Sequence, residues 1–78
     1  NGSVFRNPES VPAGKLIDDA GLKGTCVNDA QVSKIHANFI INKSNATSED
    51  IIKLIDIVKT KVKDIYDIEL HLEQEIIK

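Results

Sequence analysis

The 78-residue chain contains one cysteine, Cys26, so it cannot form an internal disulfide. Zinc ligands are equally scarce, because only His36 and His71 could join Cys26 in the cysteine and histidine sets that structural zinc sites use. The sequence shows no clustered metal ligands, which argues against a metal-dependent hydrolase. We therefore expect no metal site, and we expect Cys26 to be a small, half-buried thiol.

The chain also lacks a strong charge of either sign. Ten Lys and Arg residues against twelve Asp and Glu residues give a net charge of −2, which offers no electrostatic reason to bind nucleic acid or an anionic membrane. No apolar run approaches the roughly 20 residues of a membrane-spanning helix, and the N-terminus has no signal-peptide pattern. We expect a cytoplasmic protein that binds neither nucleic acid nor membranes.

What the chain does contain is typical of a globular domain. Hydrophobic residues make up 41% and charged residues 28% of the sequence, which excludes disordered and collagen-like chains. A chain of 78 residues can bury only a modest core, which is marginal without support from a neighbour. No internal repeat is present. Residues 1–78 are therefore predicted to form a single domain.

Apolar spacing predicts a short helix near the N-terminus. Pro12 suits the first helical position, and Gly21 is a natural left-handed stop. The apolar residues between them recur at helical spacing: Ala13, Leu16, Ile17 and Ala20. We predict a helix of about two to three turns that begins near Pro12. Residues 22–29 are predicted to be irregular or a short strand, in which Asn28 and Asp29 tolerate a left-handed turn.

From Ser33 onward the apolar residues recur at every second position, which predicts a strand with one core face. The predicted core face carries Ile35, Ala37, Phe39 and Ile41. The opposite face carries His36, Asn38, Ile40 and Asn42. Polar side chains on that face are candidates for contact with a ligand.

A long helix is predicted next, over residues 48–65, because Thr47 and Asp50 form the pattern of a capping box. At about 100° per residue, seven apolar side chains fall within an arc of roughly 120°. They are Ile51, Leu54, Ile55, Val58, Val62, Ile65 and Tyr66. Full burial of each is worth about 1.5 to 3 kcal/mol, so this helix is predicted to dominate the core.

A period of two returns in the last stretch, where the apolar residues are Ile68, Leu70, Leu72 and Ile76. The second half of the chain is therefore predicted to form a strand, a long helix and a strand. Such a connection favours a right-handed crossover with parallel strands, if both strands join one sheet. The predicted fold class is α+β, a small sheet with helices packed on it.

The stretch Gly2-Ser3-Val4-Phe5-Arg6-Asn7-Pro8 concentrates a hydroxyl, a guanidinium and an amide within five residues. Gly2 permits a sharp turn or close approach to a ligand, and Pro8 favours extended backbone at Asn7. We expect a short extended segment or turn that is anchored to the core by Val4 and Phe5. A binding or catalytic site is one interpretation, and an ordinary loop is the other.

Several ordered blocks resemble the C-terminal, substrate-binding domain of UDP-N-acetylenolpyruvoylglucosamine reductases, flavoenzymes of bacterial peptidoglycan synthesis. The blocks are residues 2–8, 13–17, 20–24, 30–33, 36–42, 45–47, 69–70 and Glu73. The resemblance implies that residues 1–78 are the C-terminal domain of such an enzyme. It also implies FAD and NADPH as cofactors, with the flavin held mainly by a part of the enzyme that this sequence does not include.

The resemblance also implies roles for individual residues. Ser3 matches the serine of a Gly-Ser-x-Phe motif that protonates the substrate carbon next to the one receiving hydride. Glu73 matches a glutamate of a Leu-x-x-Glu pattern, which helps to stabilise the enolic intermediate if burial or neighbouring anions keep it partly protonated. Glu75 is the runner-up for that role. Leu72 and the pair Gln74-Glu75 depart from the residues frequent in the family.

Substrate contacts are implied for Arg6, Asn7 and His36. Arg6 could grip substrate anions, and Asn7 could donate a hydrogen bond. His36 falls where some family members place a substrate-contacting glutamine. The expected partners are UDP-N-acetylenolpyruvoylglucosamine, which is reduced to UDP-N-acetylmuramate, and the flavin-binding domain of the same chain. This chain alone is expected to be inactive. The alternative is a noncatalytic α+β module that binds a ligand or another protein.

Overall fold

The structure of the chain, a computed structural model, describes residues 3–73. Two helices and three short strands follow in the order α1 (Ala13–Asp19), β1 (Cys26–Val27), β2 (Ala30–Val32), β3 (Ile40–Asn42) and α2 (Ser48–Tyr66). The strands form one antiparallel sheet in the order β1-β2-β3. This architecture confirms the predicted α+β class. Neither helix in this part of the chain is long and apolar enough to cross a membrane.

Helix α1 forms where the apolar spacing predicted it, one residue later than Pro12. Pro12 is the N-cap residue, in extended backbone with φ −61° and ψ 140°. Ala13, Leu16 and Ile17 are buried and hold the helix against the core. Gly21 follows with φ 77°, a left-handed conformation that glycine adopts readily, and its N–H donates to Asp18 O at 2.9 Å. The predicted stop at Gly21 is confirmed.

Strands β1 and β2 form a hairpin that packs under α2. Its turn passes through Asn28 in left-handed backbone with φ 52°, which confirms the tolerance predicted for that position. Ala30 and Val32 are buried in the core. The prediction for Cys26 is wrong, because its side chain is exposed at the edge of the sheet. Its Sγ lies 3.3 Å from Gly24 O, and β1 is an edge strand with no neighbour on that side in the described sheet.

The strand predicted from Ser33 is wrong for all but its last three residues, which form β3. The Ser33 hydroxyl accepts hydrogen bonds from the N–H groups of Ile35 and His36, both at 3.1 Å. Its backbone N–H donates to Phe39 O at 2.8 Å and closes the loop. A serine side chain that bonds its neighbours' backbone competes with strand pairing, so residues 33–39 form a loop.

Because of the loop, several side chains that were predicted to be buried are exposed, and one that was predicted to be exposed is buried. Ile35 is 75% exposed and Phe39 is 38% exposed, although both were predicted to face the core. Of the predicted polar face, Asn38 is 8% exposed and belongs to the buried residues, next to Ala37. Ile41 in β3 is also exposed rather than buried. A period of two in the sequence does not hold where the backbone turns instead of extending.

Helix α2 begins with the predicted capping box. The Thr47 hydroxyl accepts from Asp50 N–H, and the Asp50 carboxylate accepts from Thr47 N–H, each at 3.1 Å. Four of the seven residues in the predicted stripe are buried: Leu54, Ile55, Val58 and Val62. Ile51 and Tyr66 pack against the core from its margin. Ile65 was predicted to belong to the stripe, but it is 49% exposed.

The final strand and its parallel crossover are not formed within residues 3–73. Helix α2 ends at Tyr66, and the C-cap residue Asp67 adopts left-handed backbone with φ 58°, which turns the chain back. Leu70 is buried, and Leu72 forms an isolated antiparallel bridge with Phe5 instead of joining β3. The chain therefore pairs its last described segment with its first. Ile76, the last apolar residue of the predicted strand, lies outside the described residues.

Asp50 links α2 to the hairpin and makes stability depend on pH. The pKa of Asp50 is lowered below its ordinary value of 3.8, mainly because its carboxylate accepts a hydrogen bond from the Asn28 side chain, and next from Thr47 N–H. A lowered folded-state pKa stabilises the fold above the unfolded pKa, and this contribution is lost as the pH falls through the folded value.

We expect Asp50→Asn to reduce the free energy of unfolding most above about pH 5, and progressively less below about pH 4. Urea denaturation at a series of pH values measures the difference from wild type. Asp56→Asn is the matched control, because Asp56 is exposed in the middle of α2. A difference for Asp50→Asn that stays constant from pH 3 to pH 7 would contradict the assigned hydrogen bonds.

Candidate functional site

The segment that carries Ser3, Arg6 and Asn7 is held along one edge by the end of the chain. Val4 O accepts from Glu73 N–H at 2.8 Å, and Arg6 N–H donates to His71 O at 2.8 Å. These bonds flank the bridge between Phe5 and Leu72. Phe5 is 2% exposed and anchors the segment in the core, as predicted from the apolar pair in the motif.

Asn38 holds the other edge of the same segment. Its Oδ1 accepts from Phe5 N–H at 2.9 Å, and its Nδ2 donates to Phe5 O at 2.9 Å. Its backbone O also accepts from Val4 N–H at 2.8 Å. The side-chain amide therefore pairs with Phe5 as the peptide group of a neighbouring strand would. From the sequence, Asn38 was predicted only to lie on the polar face of a strand. Its bonds to a residue 33 positions away could not be predicted, because they leave no local pattern in the sequence.

The segment borders a cleft of about 390 Å³ between α1 and the 33–39 loop. Three of the residues predicted as site residues line this cleft, namely Ser3, Asn7 and His36. Ser3 is half-buried, whereas Asn7 and His36 are exposed. Tertiary structure thus brings together a hydroxyl, an amide and an imidazole that are separated by up to 33 positions in sequence.

Asn7 also has a structural function that the sequence did not reveal. Its Oδ1 accepts a hydrogen bond from Ala13 N–H at 3.0 Å, at the first residue of α1. Pro12, the N-cap residue, provides no side-chain cap, so Asn7 satisfies the free N–H of Ala13 from six residues upstream. The opening segment and α1 are therefore fixed relative to each other.

The α1 side of the cleft carries two lysines to which sequence analysis gave no role. Lys15 pairs with Asp19 at 3.1 Å, and Lys23 pairs with Asp18 at 3.3 Å. All four residues line the cleft. Exposed ion pairs contribute little stability, so each ammonium group can exchange its carboxylate for an anion of a ligand at small cost. Both lysines lie in blocks of the family resemblance, which is the signal that could have identified them.

The 33–39 loop presents His36 beside Phe39 at the cleft. Their ring centroids are 5.6 Å apart, with the planes inclined by 52°. His36 N–H donates to the Ser33 hydroxyl, which fixes the backbone at the position of the imidazole. The imidazole and the adjacent aromatic ring form one wall of the cleft.

Arg6 and Glu73 are not among the residues that line the cleft. Arg6 is exposed, and its Nε donates to Leu72 O at 3.3 Å. Glu73 is also exposed, so the described residues do not provide the burial expected for its carboxylate. Its backbone nevertheless bonds Val4, the neighbour of Ser3. Glu75, the runner-up to Glu73, lies outside the described residues.

The described residues do not form a cradle for a flavin or a metal. Helix α1 begins after Pro12 and α2 after Thr47, without a glycine-rich loop to receive a phosphate. Within residues 3–73, no group of three or more His, Cys, Asp or Glu side chains is placed to hold a metal ion.

Comparison with known proteins identifies one family for nearly the whole chain. The family model described as "UDP-N-acetylenolpyruvoylglucosamine reductase, C-terminal domain" matches residues 1–77. UDP-N-acetylenolpyruvoylglucosamine reductases from Clostridium kluyveri and Bacillus licheniformis are 54% and 49% identical over 76 residues, which is 97% of this chain. The chain spans 25% and 41% of their respective lengths.

A solved structure agrees with these sequence matches. The crystal structure of UDP-N-acetylenolpyruvylglucosamine reductase from Thermus caldophilus superimposes with a TM-score of 0.78 at 40% identity. The match covers 95% of this chain and 26% of that enzyme. The chain is therefore similar to that enzyme in sequence as well as in fold.

The bond from Asn7 to the start of α1 predicts a measurable loss of stability. We expect Asn7→Ala to lower the free energy of unfolding by about 1 kcal/mol, because Ala13 N–H loses its acceptor. Urea denaturation measures this change. Asn45→Ala is the control, because its backbone N–H rather than its side chain bonds Asp29. Equal stability of the two variants would show that the Asn7 bond does not support the helix.

Proposed function

Because this chain belongs to the C-terminal domain family of UDP-N-acetylenolpyruvoylglucosamine reductase, we propose that it is the substrate-binding part of such an enzyme. The complete enzyme reduces UDP-N-acetylenolpyruvoylglucosamine to UDP-N-acetylmuramate in peptidoglycan synthesis. The observation that carries this proposal is the place of Ser3, which lines the cleft on a segment bonded along both edges.

Ser3 is the proposed proton donor of the reaction. A reduced flavin, when bound by the complete enzyme, would supply the hydride that one carbon of the enolpyruvyl double bond receives. The Ser3 Oγ–H bond breaks, its proton adds to the adjacent carbon, and solvent afterwards returns a proton to the serine oxygen. A hydroxyl is a weak acid in water, so this step requires a site whose field stabilises the developing alkoxide. The half-buried position of Ser3 supports such a role better than full exposure would.

Asn7 and His36 are the proposed substrate contacts within the cleft. The Asn7 Oδ1 is engaged by α1, so its amide NH2 is the group available to donate to a substrate oxygen. His36 supplies a polar contact without a proton-transfer role. Both side chains reach the cleft from different elements, which allows them to hold two parts of one ligand.

Arg6 and Glu73 have roles that need the rest of the enzyme. Both are exposed in this chain, so we propose that the flavin-binding part of the protein and the substrate cover them and complete the site. Arg6 then binds substrate anions, and Glu73, or Glu75 in its place, stabilises the enolic intermediate through the substrate carboxylate. Two exposed charges beside a half-buried serine fit a site built from more than one domain.

The proposed cofactors are FAD and NADPH, and the proposed location is the cytoplasm. We propose that the flavin is held mainly by the flavin-binding part of the enzyme, as the family resemblance implies.

The sequence of this chain has no glycine-rich phosphate loop that would hold a flavin on its own. We therefore expect no saturable flavin binding when FAD is titrated into the 78-residue chain and followed by flavin fluorescence. Micromolar or tighter affinity would contradict this division between the two parts.

The proton-donor role predicts a selective defect in the full-length enzyme. We expect Ser3→Ala to slow reoxidation of the reduced flavin by the enolpyruvyl substrate by about a hundredfold or more, the usual scale for loss of a general acid. Reduction of the flavin by NADPH should proceed normally. Stopped-flow absorbance follows the two half-reactions separately.

Ser10→Ala is the control for this experiment, because Ser10 is an exposed serine of the same N-terminal region. Both half-reactions should be normal in that variant. Reoxidation at the wild-type rate in Ser3→Ala would show that Ser3 is not the acid, and would favour the noncatalytic module.

A further inference from the structure

We propose that Asn38 is a positioning residue for Ser3, a role that rests on the proton-donor function proposed above. Asn38 is 8% exposed and makes three hydrogen bonds to Val4 and Phe5, the two residues that follow Ser3. It also lines the cleft together with Ser3. One buried amide therefore connects the cleft wall to the backbone that carries the hydroxyl.

The two bonds of the Asn38 amide fix the position of Phe5, in addition to satisfying its backbone polar groups. An amide with bonds at both Oδ1 and Nδ2 cannot rotate without breaking one of them. On the opposite edge, residues 71 and 73 bond Arg6 and Val4, so they flank Phe5 and leave its N–H and C=O to Asn38. Asn38 thus sets how far the opening segment lies from the 33–39 loop.

Asn38 is itself held in place from two directions. The Ser33 N–H bond to Phe39 O closes the loop that contains it. On the side of α1, Gly14 lies against it, so that a Cβ built at Gly14 would be 3.6 Å from Asn38 Cβ. The Asn38 amide therefore has a fixed position, and a shift of the opening segment relative to it would move Ser3 within the cleft.

Loss of the amide should act on proton delivery. Without it, the buried N–H and C=O of Phe5 lack partners, and the segment must shift to find others. A displacement of about 1 Å of a reacting group can cost about a hundredfold in rate. We expect substrate-dependent reoxidation of the flavin to slow by about ten- to a hundredfold, while reduction by NADPH is unchanged.

The test uses Asn38→Leu and Asn38→Asp in the full-length enzyme, each with and without Ser3→Ala. Leucine has a similar volume but no polar atoms, whereas aspartate keeps an acceptor for Phe5 N–H and places an oxygen against Phe5 O. If Asn38 acts through Ser3, each variant slows reoxidation in the Ser3 enzyme and adds little to Ser3→Ala. Such non-additivity is not expected from a general loss of stability.

Two control variants separate position from stability. Ile55→Val removes one buried methylene from α2, and Asn45→Leu replaces an exposed asparagine, so neither should change reoxidation selectively. An equal further slowing by Asn38→Leu in the Ser3→Ala enzyme would overturn the proposal, as would wild-type reoxidation in both Asn38 variants. Failure of both variants to fold would also overturn it, by showing a purely structural role. Wild-type reoxidation in Ser3→Ala alone would instead overturn the proposed function.

Discussion

The pairing of the Asn38 side chain with the backbone of Phe5 is the contact on which the arrangement of this domain depends. Phe5 is buried, so its N–H and C=O would each cost free energy if they were left without partners. The strands of the sheet do not reach them, and the amide provides both bonds at 2.9 Å. This contact fixes the segment that carries Ser3. Asn38 also lines the cleft and lies against Gly14 of α1.

The second constraint is the pairing of the two ends of the described chain. Phe5 and Leu72 meet across 67 positions of sequence, and α2 lies between them in the chain. Closing so long a loop costs conformational entropy, which the burial of α2 and of Leu70 must offset. This pairing places Ser3 and Glu73, the residues with proposed chemical roles at the two ends, on adjacent paired segments. The active site of the proposed enzyme is therefore coupled to the stability of the whole domain.

The cleft itself is built from elements of different character. One wall is α1 with the turn that follows it, where Lys15 and Lys23 are balanced by aspartates, and the other is a loop that exposes Ile35 and Phe39. A surface with balanced charges and an apolar rim is suited to a ligand that has both anionic and uncharged parts. The proposed nucleotide-sugar substrate has that combination. Exposure of apolar side chains next to the cleft is consistent with a larger protein around this domain.

The features that the sequence determined by itself are those whose interactions lie close along the chain. Helices α1 and α2, the capping box of Thr47 and Asp50, and the left-handed turn at Asn28 depend on residues a few positions apart. The family resemblance was also readable, because its blocks keep their order. The loop at residues 33–39 also depends on close neighbours, because the Ser33 hydroxyl bonds Ile35 and His36, but the spacing of apolar residues does not show those bonds. Tertiary structure alone decided that Leu72 pairs with Phe5 and that Asn38 is buried. Those outcomes depend on hydrogen bonds between distant residues, and such bonds leave no periodic pattern in the sequence.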